Sequence, residues 1–459
     1  MNSFPRHIFK QYDIRGLIDT EITPDLAEGI GRAFVRFLKN ELPSRENMII
    51  VVGRDMRDSS PVYQDRLMKG LTESGATVLD IGLVSTPAFY FGVGHLKAHG
   101  GIMVSASHNP AQYNGFKLTR AQAVPISGDS GILEIAKMVE ENLAVAPDFS
   151  PGVIQRVDGI PALSVQAEFV HAGNHPVKKM NIVCDSANGM GAQYLDELFT
   201  MIDANVTRMY WGFDGGFPNH EADPFKMENT AALREKVVEL GADLGIATDG
   251  DGDRIFFVDN KGRLVTPAVL RGLIAQIILR GSPGATICYD IRPGKITRDM
   301  IVEAGGKPSV TRVGHSFIKE QMRSVGAVFG GESSGHFFYA FPTGMYEGPV
   351  TVATQLLQEI TRRNQSLSDI VEPLERYVHS GEINFIVEDK EGMMSRLTEK
   401  YAEGELVTLD GITITYPDFW FNVRASNTEP KLRLNLEAIN QETMERHRDD
   451  IVAFINESA

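Results

Sequence analysis

The amino-acid sequence predicts an α/β protein of several domains. Three observations carry that expectation: the length, an alternation of helical and strand periods, and a pattern that recurs three times. The chain has 459 residues, beyond the roughly 250–300 at which a single core stops growing. Three or four domains of about 100–150 residues each are therefore expected. Leu26, Ile30, Phe34 and Leu38 recur at helical spacing behind Thr23 and Pro24, a capping residue and a first-turn proline. Ile49 to Val52 then reads as a short buried strand. Such alternation implies sheets covered by helices.

The recurring pattern has three strands and a polar loop. In the first unit the runs are Ile49 to Asp55, Val78 to Gly82 and Gly101 to Val104, the last ahead of Ser105-Ala106-Ser107-His108-Asn109-Pro110. In the second they are Ile182 to Asp185, Val206 to Tyr210 and Leu244 to Thr248, ahead of Asp249-Gly250-Asp251-Gly252-Asp253-Arg254. In the third they are Ile287 to Asp290, Val310 to Gly314 and Val328-Phe329, ahead of Gly330 to His336. Each first strand ends in an aspartate, and each third strand opens into small and polar residues. Three related domains, each offering one loop, is the economical reading. The remainder differs: helical stretches (Glu391 to Lys400, Glu442 to Asn456) bracket strand-like Ile412 to Tyr416 and Leu432 to Leu436, an α+β pattern. Pro147 to Pro161, the turn Asp259 to Gly262 and the helix end Arg363 to Ser366 mark boundaries. The expected domains are 1–152, 153–260, 261–366 and 367–459.

Composition excludes several function classes. A formal charge of -15 argues against nonspecific nucleic-acid binding and against an anionic membrane surface. No apolar run reaches the ~18 residues of a membrane span. Met1 to Gly16 has no apolar core of the kind a secretory signal carries, so a cytoplasmic protein is expected. Cys184 and Cys288, each in a short apolar run, read as buried thiols rather than a disulfide framework.

Four loops hold residues suited to chemistry. Asp249, Asp251 and Asp253 alternate with glycines, which let the backbone turn so that the carboxylates converge. Converging carboxylates repel unless a cation neutralises them, and oxygen-only donors suit Mg²⁺ or Mn²⁺. An EF-hand does not fit: Arg254 stands where its glycine belongs and Asn260 where its glutamate belongs. A solvated acidic turn is the competing reading. Ser107-His108-Asn109-Pro110 on its own reads equally as a turn. As a phosphoryl acceptor Ser107 needs a metal and cationic donors, for which His108, Lys117 and Arg15 are at hand. Glu332-Ser333-Ser334-Gly335-His336 offers a carboxylate, a hydroxyl and an imidazole, either to a sugar or merely to its own turn. Arg424-Ala425-Ser426-Asn427-Thr428-Glu429-Pro430 has the donors of a phosphate cradle, against a simple loop.

Taken together, these residues resemble the α-D-phosphohexomutase family, in its bacterial phosphomannomutase/phosphoglucomutase branch. The resemblance runs through the whole chain in order: Tyr12 to Gly16, the Ser107 loop, the aspartate loop, Gly314 to Lys319, the Glu332 loop and the Arg424 loop. It implies four domains around a central cleft, the first three topologically alike and mixed α/β, the fourth α+β. It implies a phosphohexomutase that interconverts hexose 1-phosphate and hexose 6-phosphate, of mannose or glucose, through a phosphoserine and a 1,6-bisphosphate. By motif position, Ser107 corresponds to the phosphoserine, and Asp249, Asp251 and Asp253 to the Mg²⁺ ligands, with a phosphoryl oxygen of Ser107 completing the site. Glu332 and Ser334 correspond to readers of the sugar hydroxyls, and Arg424, Ser426, Asn427 and Thr428 to the clamp on the idle phosphate. Arg15, His108, Lys117, Arg254, His315 and His336 line the site, with Tyr12 and Arg292 as further substrate contacts. Lys117 and His336 are the candidates for general acid and base. The implied cofactors are Mg²⁺ and a hexose 1,6-bisphosphate primer; the implied partner is a small sugar phosphate, with no nucleic acid or membrane, and the protein is a monomer or weak dimer. The competing functions are a phosphoglucosamine mutase, against which the Arg-Ala-Ser-Asn-Thr form of the clamp argues, and a Mg-dependent sugar phosphatase with Asp249 as nucleophile.

Overall fold

The computed structural model describes residues 4–44, 47–141, 150–292, 294–425 and 431–458. It divides into two compact units, Met1–Val265 with Ser334–Ser368, and Thr266–Ser333 with Asp369–Ala459.

In the first unit the helix Pro24–Glu41 forms where its period predicts. The Thr23 hydroxyl accepts from the Leu26 N–H at 3.2 Å, and Pro24 opens the first turn. Its inner face, Leu26, Ile30, Phe34, Phe37 and Leu38, shares a core with Val52, Ile102 and Phe116. Burying each such side chain stabilises by roughly 1.5–3 kcal/mol. The sheet beneath it has Ile49–Arg54 at its centre, parallel to Thr77–Leu83 on one side and Gly100–Val104 on the other. Tyr113–Arg120 runs antiparallel beyond Gly100–Val104. A second sheet repeats this arrangement: Met180–Asp185 lies between Ala204–Met209 and Leu244–Thr248, parallel to both, with Ile255–Asp259 antiparallel at the edge. The turn expected at 259–262 closes on a Gly262 N–H to Asp259 carbonyl bond of 2.9 Å.

The second unit holds the third occurrence. Thr286–Asp290 lies parallel to both Lys307–Thr311 and Phe329–Gly331. The middle strand here lies about three residues before the expected Val310 to Gly314. Gly314, at φ 138°, instead begins the helix His315–Val325, a backbone angle that would break a strand. The last sheet is antiparallel: Lys431–Ala438 pairs with Phe419–Ala425, which pairs with Ile412–Thr415. The helices Lys390–Lys400 and Gln441–Ser458 accompany it, their Met393, Leu397, Ile451 and Ile455 entering its core.

In each of these three mixed sheets the strand that has a parallel neighbour on both sides leads into the recurring aspartate: Asp185 and Asp290 end theirs, and Asp55 follows directly on Arg54. Cys184 and Cys288 are buried in two of these strands, and burial pushes both thiols up, Cys288 to about 11. Among the described residues no helix is long and apolar enough to cross a membrane.

The segment Ser334–Ser368 belongs with the first unit because of the helix Pro349–Arg363. Glu168, in the helix Ile160–His171, accepts the N–H groups of Val350 (2.9 Å) and Thr351 (3.2 Å) at its first turn. Gln358 donates to the Gly173 carbonyl, and Thr361 accepts from the Lys178 N–H. Glu168 is wholly enclosed, and burial pushes its carboxyl from 4.5 up to about 8 against those two N–H bonds. Between these values the native state keeps a proton that the unfolded chain releases, so stability falls as pH rises. From roughly pH 6 to 8 this group should remove on the order of 2 kcal/mol of stability. Glu168→Gln keeps an acceptor without a titration, so its urea midpoint should fall less over the same range. Identical pH slopes in the two proteins would show that Glu168 does not carry the effect.

Candidate active site

Two loops of the first unit interlock. The all-buried strand Gly100–Val104 delivers Ser105, Ala106 and Ser107 into the interior, and Leu244–Thr248 delivers Asp249. Ser107 takes a left-handed backbone, φ 50°, uncommon for a residue with a side chain. Its N–H donates to the Ser105 hydroxyl at 2.9 Å. Its Oγ donates to Asp249 Oδ2 at 3.0 Å and lies 3.2 Å from His108 Nδ1. The approach depends on Gly250, where a Cβ would stand 2.5 Å from the Ser107 carbonyl oxygen.

Asp249, Asp251 and Asp253 each offer a carboxylate oxygen within 4.8 Å of the others, and all three are buried. Lys117 Nζ lies 2.6 Å from Asp253 and 3.0 Å from Asp251. His336 Nε2 donates to Asp253 at 3.1 Å, while its Nδ1 lies 2.9 Å from Ser334 Oγ. Thr86 holds Asp251 twice, hydroxyl to carboxylate at 2.6 Å and N–H to carbonyl at 2.9 Å. Arg254 reaches Asp223 at 3.3 Å, His108 at 3.5 Å and Asp249 at 3.9 Å. Arg15, paired with Asp13, donates to Asn109 Oδ1 at 2.7 Å. Tyr12 is half-buried in the same segment.

The electrostatics follow from this crowding. Burial, then the Asp253 and Asp251 charges, push the Asp249 carboxyl well above the usual range. Against burial, Lys117 and His336 hold Asp253 well below it. Burial and the cations Arg254 and Arg15 push His108 well down, so its ring is neutral near pH 7. The donor set fits a hard divalent cation: three converging carboxylates, oxygen donors only, and a fully buried Asp251 Oδ1 with no hydrogen-bond partner among the described residues.

The second unit gathers a different set. Arg292 pairs with Asp290 at 2.6 Å, and Glu332 accepts the Gly314 N–H at 2.8 Å. His315 stands on the first turn of its helix, half-buried. Arg424 lies on the strand Phe419–Ala425 rather than in the loop, 3.1 Å from Glu382, which also meets Arg433 at 3.5 Å. Burial, then the Arg292 charge, lower the Arg424 guanidinium from its ordinary value. Ser426, Asn427 and Thr428 lie outside the described residues.

Four family models, phosphoglucomutase/phosphomannomutase alpha/beta/alpha domains I, II and III and the C-terminal domain, match residues 6–145, 164–262, 268–377 and 382–454. The chain belongs to the phosphoglucomutase/phosphomannomutase family. It is 40% identical over 433 residues to a protein of Xanthomonas campestris named phosphohexose mutases, covering 94% of each chain. It is 34% identical over 450 residues to the phosphomannomutase/phosphoglucomutase of Pseudomonas aeruginosa, covering 97% of this chain and 94% of that one. A crystal structure of a family member from Burkholderia thailandensis superposes with a TM-score of 0.86 at 30% identity, covering 98% and 97%. The family accounts for the four-domain, mixed α/β architecture and for the buried aspartate triad able to hold a metal.

Sequence reasoning missed Arg57, Thr86 and Asp223, which the structure brings to this cluster. The signal for Arg57 was its place just beyond the first recurring aspartate. Thr86 and Asp223 carry no local signal, because each reaches the loops from a distant part of the chain. A cation bound only by the folded state stabilises it by ~2.7 kcal/mol at a hundred times its dissociation constant. Mg²⁺ should therefore raise the midpoint of thermal unfolding, and Asp251→Asn should remove most of that rise. An unchanged rise in the variant would place the cation elsewhere.

Proposed function

We propose that this protein is a Mg²⁺-dependent phosphohexomutase that interconverts the 1- and 6-phosphates of glucose and mannose, with Ser107 as the phosphoryl carrier. The observation that supports it most is Ser107 itself: a buried hydroxyl on a left-handed backbone, 3.0 Å from the first of three clustered carboxylates. A phosphoryl group on Oγ adds negative charge where three carboxylates face Lys117 and Arg254. Mg²⁺ when bound neutralises that excess and polarises the phosphoryl oxygens.

The chain's own residues do the rest. In the forward half the Oγ–P bond of phosphoserine breaks as a sugar hydroxyl oxygen bonds to phosphorus; the hydroxyl proton passes to an imidazole, and Ser107 Oγ takes up a proton as it leaves, becoming a hydroxyl. In the return half the Ser107 hydroxyl gives up that proton as its Oγ bonds to the other phosphorus of the bisphosphate, and the imidazole returns its proton to the sugar oxygen left behind. Lys117 lies between Asp251 and Asp253, whose charges, against burial, raise its ammonium well above its ordinary value; with His336 it is a candidate for the proton-transferring group. His336, with Nε2 on Asp253 and Nδ1 beside Ser334, is the oriented imidazole. Arg15, His108 and Arg254 surround the reacting oxygens with donors. Glu332, Ser334 and His315 read the sugar, and Tyr12 is a further substrate contact. Arg292 and Arg424, with Ser426, Asn427 and Thr428, hold the phosphate that is not reacting, and see neither carbon 2 nor the hexose's identity.

The deciding experiment gives the purified protein Mg²⁺, glucose 1,6-bisphosphate and, side by side, the 1-phosphates of glucose, mannose, glucosamine and N-acetylglucosamine. Turnover of glucose and mannose, with Ser107 phosphorylated by peptide mass, is the expected result. Ser107→Ala should be folded and inactive; near-native turnover by that variant overturns the assignment. Release of inorganic phosphate alone would make it a phosphatase, and preference for the amino sugars a glucosamine-phosphate mutase. Charge-assisted bonds to phosphate are worth roughly 1.5–3 kcal/mol each. Arg424→Ala should therefore lower kcat/KM about 10- to 100-fold, equally for glucose and mannose. A loss confined to one sugar would show that Arg424 reads the hexose instead.

A further inference from the structure

We infer that Arg57 is a positioning residue for Ser107: its buried guanidinium clamps the turn that carries Ser107 and so aims the hydroxyl at Asp249. The inference rests on the reading of Ser107 as the phosphoryl carrier.

Arg57 spends its donors on backbone. Nη2 donates to the carbonyls of Ser107 (2.8 Å) and Asn109 (2.6 Å), and Nη1 to those of Pro110 (2.9 Å) and Tyr113 (3.0 Å). These four bonds engage every terminal hydrogen of the guanidinium. Nε faces Asp55 Oδ2 at 3.2 Å. Asp55 is fixed in turn, since its Oδ1 accepts the Arg57 N–H at 3.1 Å and the Ser60 hydroxyl at 2.6 Å. The arrangement is dry: the Arg57 side chain is 1% exposed. The Phe217 ring lies 5.1 Å from the guanidinium carbon. Gly215 closes over the backbone, where a Cβ would stand 2.6 Å from the Arg57 Cα.

The consequence falls on Ser107. Its N–H is held by Ser105 Oγ and its carbonyl by Arg57 Nη2, so the peptide groups on both sides of its Cα are tied. That bracing keeps φ at 50° and fixes where the Cβ–Oγ bond points. Gly250 abuts the same carbonyl oxygen, so any drift of the serine turn also displaces the aspartate loop. Lysine cannot replace the clamp, because its three hydrogens radiate from one atom and cannot span four carbonyls. A turn released by a fraction of an ångström loses the in-line approach that transfer needs, without losing the groups that bind the sugar phosphate.

The test compares wild type with Arg57→Lys and Asp55→Asn as full-length proteins with Mg²⁺ and glucose 1,6-bisphosphate. For Arg57→Lys, kcat with glucose 1-phosphate should fall about 10- to 100-fold while KM stays within about two-fold. Ser107 should still acquire phosphate by peptide mass, and that phosphoserine should hydrolyse faster than wild type when no acceptor is present. If circular dichroism shows that Arg57→Lys does not fold, Asp55→Asn serves. It keeps the guanidinium and loosens only its anchor, and should show the same split with a smaller loss. A kcat within about two-fold of wild type, or a loss confined to KM, in the folded variant overturns the positioning role. Phosphate on a residue other than Ser107 in the wild type overturns the reading of Ser107 itself, whatever the Arg57 variants do.

Discussion

Three carboxylates held within 4.8 Å of one another inside the protein are the constraint on which the first unit depends. A pair of unit charges at that spacing repels by roughly 3 kcal/mol at an effective dielectric near 20, and burial adds a desolvation cost for each. The surroundings answer both terms. Lys117 lies against two of the carboxylates, His336 against one, and Thr86 fixes Asp251 by two bonds. Among the described residues Asp251 Oδ1 is still left without a hydrogen-bond partner. A set so nearly compensated, with one buried oxygen in want, is what a divalent cation completes. Ser107 is held against the same cluster, so whatever neutralises the carboxylates also acts on its oxygen.

That convergence is a product of topology. In each of the three mixed sheets the polar loop follows a strand that lies parallel beside the one leading into the recurring aspartate. The three aspartates hold their loops differently. Asp55 acts through Arg57, whose guanidinium reaches the carbonyls around Ser107. Asp185 accepts the Ala187 N–H and meets His220, shaping the turn from which Met190 donates to the Gly250 carbonyl. Asp290 accepts the Ser333 N–H and hydroxyl directly, and also pairs with Arg271 and Arg292. One position in the repeat therefore has one task, anchoring a loop at the carboxyl end of the sheet, and the partner between aspartate and loop has diverged.

The repeat, the strand–loop order and the carboxylate cluster were legible in the sequence because each has a local signature: a run of β-branched residues, an aspartate, then glycines. The helix at Pro24 was legible for the same reason. Arg57 had only its place beyond the first recurring aspartate to mark it, since clamping four carbonyls leaves no pattern in the residues that own those carbonyls. Glu168 was hidden because its partners, Val350 and Thr351, are far along the chain. The same contact explains why the segment after Ser333 joins the first unit, which a boundary read from composition could not anticipate. The strand at Lys307–Thr311 was misplaced because Val310 to Gly314 has the apolar content of a strand, while the glycine at its end has the backbone of a helix start.

The second unit poses the opposite electrostatic problem. Glu382 meets both Arg424 and Arg433, and the charge of Arg292 is felt at Arg424. Arg424 and Arg433 thus share Glu382, while Arg292 is paired with Asp290, which also meets Arg271. Arg424 is mostly desolvated, so little water must be removed when an anion arrives, and its planar fork is already ordered by Glu382. A phosphate of either end of a hexose presents the same oxygens to such a cluster, whereas the sugar ring presents different faces. Buried, ordered positive charge of this kind would suit the proposed phosphate contact, since it would meet the same oxygens whichever carbon carries them. An enzyme that must hold both 1- and 6-phosphates in turn requires that indifference.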